Sequence, residues 1–308
     1  MPIEHPTAHD PPDFALLTTP VGVNLIRFSE GKVDAFQTGL AKCERSAWLG
    51  EDRVVILTGR SGSRSLWRQI TTLALEGAGV RKISRIDTPI LAADVSVLDG
   101  RIVICGLART GSRVWWLDPT DTDHVWHPLE MPPELTERKG VDALATDGKV
   151  LVAIDNIVLP KWMFRYVPCD EGWMHLDSVA IMPSHGPYET IRTASSGDSF
   201  FAVHSTTVGR AGVHHFITCY RFSDLEPCAS IRLGAASAEY CVRGNTLWVL
   251  CPSKPNQVFH VTPPDIQKTS CATVEVQDLS TPCRRLLRSR NGVAWAVPVE
   301  RASLIRLE

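Results

Sequence analysis

Residues Val141–Met182 read VDALATDGKVLVAIDNIVLPKWMFRYVPCDEGWMHLDSVAIM. The stretch holds four short apolar runs: one around Leu144, then Val150 to Ile154, Trp162 to Val167 and Trp173 to Ile181. Each is too short for a helix, rich in β-branched and aromatic residues, and bounded by Gly, Pro or Asp, the marks of strands. Asp147-Gly148 predicts a two-residue turn of positive φ joining the first two runs as a hairpin. The polar link Pro168 to Gly172 joins the last two, so the whole reads as a four-stranded antiparallel meander.

The hairpin recurs. Turn glycines with similar neighbours stand at Gly50, Gly100, Gly148, Gly197, Gly244 and Gly292, at advances of 50, 48, 49, 47 and 48 residues. Twenty-one glycines scattered freely would not give so even a period. An apolar run follows each one: Val54 to Leu57, Ile102 to Cys105, Val150 to Ile154, Phe200 to Val203, Leu247 to Cys251 and Val293 to Val297.

A period of this size with four strands per unit is the pattern of β-propeller blades, each too small to bury both faces alone. On these residues the chain resembles the broad β-propeller superfamily over nearly its whole length. It shows no Gly-His and Trp-Asp pairs of the WD type, no kelch double glycine and no Asp-box. The resemblance implies an all-β fold, a six-bladed β-propeller with a seven-bladed ring as the alternative. Blades are expected to start near residues 44, 93, 141, 190, 238 and 284 of one domain spanning 14–308. The N-terminal runs Phe14 to Leu17, Val23 to Phe28 and Lys32 to Phe36 lack a complete set of partners, and the C-terminus offers only three strands. Closure by pairing of an N-terminal strand with the C-terminal ones is therefore expected, with Met1 to Asp13, polar and Pro-rich, as an extended tail.

Composition narrows function. A formal net charge of −2 gives no global attraction to nucleic acid or an anionic membrane. No apolar run approaches the length of a membrane helix, and the N-terminus lacks a signal-peptide core, so a soluble cytoplasmic protein is expected. The nine cysteines form no Cys-x-x-Cys pair and fall mostly in apolar runs, as reduced core residues.

In propellers the first strand of each blade lines the central channel, whose mouth commonly holds ligands. Glu44, Asp94, Asp142, Glu189 and Glu239 lead into those strands, six, six, six, eight and five positions before their turn glycines. The sixth unit offers Arg284 or Arg285 instead. Converging acids are suited to a hard cation such as Ca²⁺, similar in outline to the calcium-dependent hydrolase and lactonase propellers, or to a basic peptide. They serve equally well as solvated or turn-capping groups. The uneven offsets and the lack of asparagines at these positions argue against a transferred hydrolase activity.

Two loops are further candidates for partner contact. The Met131 to Lys139 connection is Pro-rich, then charged, and includes Glu134 and Arg138. The long connection from His204 to His215 carries His204, His214 and His215, which invites a Zn²⁺ reading. Adjacent strand residues point to opposite faces, however, so His214 and His215 do not suit one ion.

The expected function is a non-catalytic scaffold or adaptor, monomeric or a subunit of a hetero-complex, recognising a protein or peptide on a propeller face without a cofactor. The alternative is a metal-dependent, lactonase-like hydrolase with its site at the channel mouth. Nucleic-acid binding through Arg284, Arg285, Arg288 and Arg290 is a third reading, which the near-neutral charge disfavours.

Overall fold

The computed structural model describes residues 13–307 apart from 20–21, 30–31, 42–44, 62–65, 77–78, 137–139, 156–159, 171, 182–189, 208–212, 234–238, 252–253, 264–272 and 301–303. The architecture is antiparallel β throughout, with one helical turn. The first sheet holds β1 (Asp13–Thr19), β2 (Gly22–Ser29) and β3 (Lys32–Gln37). A seven-stranded sheet follows: β4 (Ser46–Leu49), β5 (Arg53–Arg60), β6 (Trp67–Glu76), β7 (Gly79–Leu98), β8 (Arg101–Leu107), β9 (Val114–Leu117) and β10 (Trp126–Pro128). After α1 (Pro133–Thr136) comes the opening stretch of the sequence analysis, as β11 (Ala143–Thr146), β12 (Leu151–Asp155), β13 (Trp162–Cys169) and β14 (Gly172–Ala180). Two more four-stranded meanders hold β15 (Thr190–Ser196), β16 (Ser199–Thr207), β17 (Val213–Arg221) and β18 (Pro227–Leu233), then β19 (Glu239–Arg243), β20 (Thr246–Leu250), β21 (Gln257–Thr262) and β22 (Thr273–Asp278). The last sheet has β23 (Cys283–Arg288), β24 (Ala294–Pro298) and β25 (Ile305–Arg306).

The seven-stranded sheet is two meanders sharing one strand. The first part of β7 pairs with β6 from Glu76↔Gly79 to Trp67↔Ala92, and its last residues pair with β8 from Leu91↔Leu107 to Leu98↔Arg101. Burial follows this division: exposed positions dominate Arg81 to Pro89, while Ala92 to Val95 are buried. The handover falls where the register breaks: residues 88–91, with Pro89, are skipped between the pairs Gln69↔Asp87 and Trp67↔Ala92, and Ala93 is extra opposite β8.

All six turn glycines adopt positive φ, from 53° at Gly197 to 92° at Gly148. The Asp99-Gly100 turn is the expected two-residue form, with φ of 51° and 69° and Leu98 paired to Arg101. At Asp147-Gly148 the turn is longer than expected, because Thr146 pairs with Leu151. The Asp147 carboxylate accepts the N–H groups of Lys149 and Val150, both at 2.8 Å, and this side-chain capping holds a four-residue loop open.

Neighbouring sheets meet through apolar faces. Cys105 and Leu98 pack with Leu144, Leu151 and Phe164; Val152 and Ile154 pack with Phe200, Tyr220 and Phe222. Phe201 and Cys219 meet Val242 and Val249, and Cys241 and Trp248 meet Leu286 and Ala296. Each buried aliphatic side chain contributes about 1.5–3 kcal/mol. A surface ion pair contributes about 0–1 kcal/mol, so these faces, not charges, hold the sheets together.

The N-terminal strands depart from expectation. β1, β2 and β3 pair with one another, and among the described residues none of them is hydrogen-bonded into β23–β25. Asp13, expected in the tail, begins β1; residues 1–12 lie outside the described residues. The small sheet touches both ends of the chain. Ala15, Ile26 and Phe28 pack with Leu287 and Val297, and Phe28 stacks on Trp295 at 4.3 Å. On its other side Val23 packs with Val54, Ile56 and Leu73. The Arg290 N–H donates to the Phe14 carbonyl at 2.6 Å, and the Asn291 N–H to the Asp13 carboxylate at 3.0 Å.

His204, His214 and His215, expected in a loop, lie within strands: His204 pairs with Phe216, His214 with Thr206 and His215 with Ser205. The ladder extends to the pair Thr207↔Val213, and residues 208–212 lie outside the described residues. Among the described residues no helix is long and apolar enough to cross a membrane.

Candidate functional site

Strand register decides which residues share a level on the first strand of each sheet. Asp94 pairs with Cys105, four positions before Leu98, the last paired residue of β7. Counting the same four positions back from the last paired residues Leu49, Thr146, Ser196, Arg243 and Arg288 gives Arg45, Asp142, Arg192, Glu239 and Arg284. Asp94, Asp142, Glu239 and Arg284 fall on this count, and Arg45 and Arg192 hold the same counted position on the other two strands. Glu44 and Glu189 lie outside the described residues, as do the side chain of Arg192 and all of Arg138. The described residues at these counted positions carry both signs.

The best-defined part is centred on Asp94, which is 7% exposed. Its Oδ2 accepts the backbone N–H of Leu144 at 3.0 Å, and its Oδ1 accepts the N–H of Val95 at 3.0 Å. Arg45 Nε stands 3.6 Å from Oδ1 as an ion pair, with both side chains largely shielded. Three successive first strands thus meet at one carboxylate. The fully buried Cys105 thiol lies beside it, pushed well above its ordinary value first by burial and then by the nearby Asp94 and Asp142 carboxylates. A thiol held protonated in this way is a poor nucleophile. An acid that accepts two backbone N–H groups beside an arginine serves as a bridge within the frame.

Glu239 is half-buried on β19, and on β23 Arg284 is exposed and Arg285 half-buried. The β23–β24 register shifts between Cys283 and Arg285, leaving Arg284 as the extra residue of a bulge. Bulges re-aim side chains, and here one turns Arg284 to solvent. Arg288 is exposed on the same strand.

Glu134, on α1, belongs to a different cluster. The Ser178 hydroxyl donates to Glu134 Oε2 at 3.4 Å and lies 3.0 Å from His175 Nε2. The serine hydroxyl thus bridges Glu134 and His175. The contact fastens the loop from Met131 to the sheet of β11–β14. The side chains of His204, His214 and His215 are outside the described residues, and their backbone register puts His214 and His215 opposite consecutive residues of β16. Among the described residues no group of three or more His, Cys, Asp or Glu stands close enough to hold a metal ion.

Sequence reasoning missed Arg45, because the acid beside it fits a count from the turn glycine and the arginine fits only the register. It also missed the pairing of Cys219 with Cys228, which arises from a bulge that no spacing rule reports. A scan against family models gives no match, and neither does a search of curated proteins.

Proposed function

We propose that the chain is a non-catalytic interaction scaffold built as a closed propeller of seven sheets. What supports seven is the small sheet of β1–β3, which packs against β23–β24 on one side and β5–β6 on the other, while the seven-stranded sheet divides at β7 into two meanders. The expected count of six leaves β1–β3 over. Closure by face-to-face packing of this sheet takes the place of a shared outer strand.

The partner site lies on the face where the first strands begin, and the single observation that carries this reading is Arg284. A bulge on an inner strand turns it to solvent with Arg285 and Arg288 on the same strand, whereas Asp94 and Arg45 are engaged within the frame. Exposed arginines on a rigid rim suit a protein or peptide segment that presents carboxylates, which the guanidinium fork holds in bidentate fashion.

Affinity capture of the tagged chain from its native host, followed by mass spectrometry, tests this. A stoichiometric protein partner is expected with the wild type and is lost in an Arg284→Glu, Arg285→Glu variant of unchanged melting temperature. Absence of any stoichiometric partner, or one indifferent to the charge reversal, overturns the proposal.

A further inference from the structure

The outer strands β17 and β18 carry two cysteines that their ladder brings together. Cys219 pairs with Ala229 and Tyr220 with Pro227, which leaves Cys228 as the extra residue of a bulge between them. The Cys228 thiol donates across the ladder to the Cys219 carbonyl oxygen at 3.3 Å, and both side chains belong to the same apolar cluster. Cys219 is 2% exposed, set among Val242, Val249 and Val261 of the next sheet, while Cys228 is only partly covered. A bulged residue is released from the regular ladder, so Cys228 can shift toward its neighbour without breaking strand pairing.

We propose that Cys228 and Cys219 are a peroxide-responsive thiol couple, with Cys228 as the site of oxidation and Cys219 as the resolving thiol. The Cys228 thiolate attacks one oxygen of a hydroperoxide; the O–O bond breaks, hydroxide or alkoxide leaves, and Cys228 becomes a sulfenic acid. The Cys219 sulfur then attacks the Cys228 sulfur, forming the S–S bond and expelling the sulfenic oxygen, which takes the Cys219 proton and departs as water. With hydrogen peroxide, two thiols and one peroxide give one disulfide and two waters, the sulfurs losing the two electrons that the O–O bond gains.

The division of roles follows from the surroundings. The neighbouring Cys219 thiol draws the Cys228 thiol down, with Arg221 adding to it, whereas Cys228 and burial push Cys219 up. Reactivity goes with thiolate character and access, and both belong to Cys228. Partial exposure and apolar surroundings favour a small peroxide over a bulky disulfide.

The test treats the reduced full-length chain with hydrogen peroxide, blocks remaining thiols by alkylation and maps peptides without reduction. A Cys219–Cys228 linked peptide lacking two hydrogens, reversed by dithiothreitol, is expected before the exposed Cys169 is oxidised. In Cys219→Ser the reaction is expected to stop at a Cys228 sulfenic acid captured by dimedone. Both cysteines remaining alkylatable while Cys169 oxidises, or Cys228 pairing with another thiol, overturns the proposal on the wild-type chain alone.

Discussion

The Asp94 carboxylate accepts the backbone N–H of Leu144 at 3.0 Å, across 50 residues of sequence. The Leu144 carbonyl in turn accepts the Thr193 hydroxyl, and the Thr146 N–H donates to Ser195 Oγ at 3.1 Å, each across 49 residues. Side chains on β7 and β15 thus satisfy the backbone of β11 where no neighbouring strand is available to do so.

Removing the Asp94 carboxylate strands the Leu144 N–H and takes away the ion pair with Arg45. Asp94→Ala is expected to lower stability by about 2–4 kcal/mol, read from chemical denaturation. Asp94→Asn keeps one acceptor and is expected to cost less than half of that. Equal losses in the two variants contradict the bridging role.

Arg165 ties the β13–β14 pair to the turn that follows β17. Its guanidinium holds both oxygens of Asp177 and donates to the carbonyls of Phe222, at 3.0 Å, and Ser223. A lysine cannot reproduce that planar fork. Arg165→Lys is expected to lose about 1–3 kcal/mol, with faster amide exchange in the turn around Phe222 and little change in β11.

Gly106 is a packing requirement. A Cβ there would stand 2.0 Å from the Leu91 carbonyl oxygen, on the strand that pairs with it. Backbone cannot yield as a flexible side chain does, so Gly106→Ala is expected to destabilise by about 1–3 kcal/mol or to abolish folding. An alanine variant with wild-type melting contradicts this close approach.

The sequence made the inner hairpins legible because their glycines sit at positive φ, a demand that only a few residue types meet. It showed the three N-terminal strands but not that they form a sheet of their own, because the hairpin between Thr19 and Gly22 has no glycine in phase with Gly50. It missed Arg45 for a related reason. The inner hairpins close with loops of variable length, from two residues at Asp99-Gly100 through four after Thr146 to five after Arg288. A fixed offset from glycine therefore slips by one residue or more, and a single step exchanges one face of a strand for the other. That step separates Glu44 from Arg45.

His260 offers a pH signature. Stacked on Trp248 at 4.0 Å and paired with Glu275 across the ladder, its imidazole is shifted down chiefly by burial, with Gln277 and Glu275 opposing and Arg243 assisting. The unfolded chain, with an ordinary histidine near 6.5, then binds more protons than the folded one. Stability from this residue is full above about pH 6.5 and falls as the pH drops toward the lowered folded value. Denaturation of His260→Phe between pH 7 and pH 5 is expected to show a shallower slope than wild type; an identical slope removes His260 from the account.

The sheet of β1–β3 is the piece that both ends of the array require, and deleting residues 1–41 tests that most directly. The shortened chain uncovers Leu287 and Val297 on one side and Val54, Ile56 and Leu73 on the other. Closure predicts loss of the cooperative melt, with amide exchange rising in β23–β24 and β5 together. A truncated chain that melts as sharply as the full one, with both regions still protected, contradicts it.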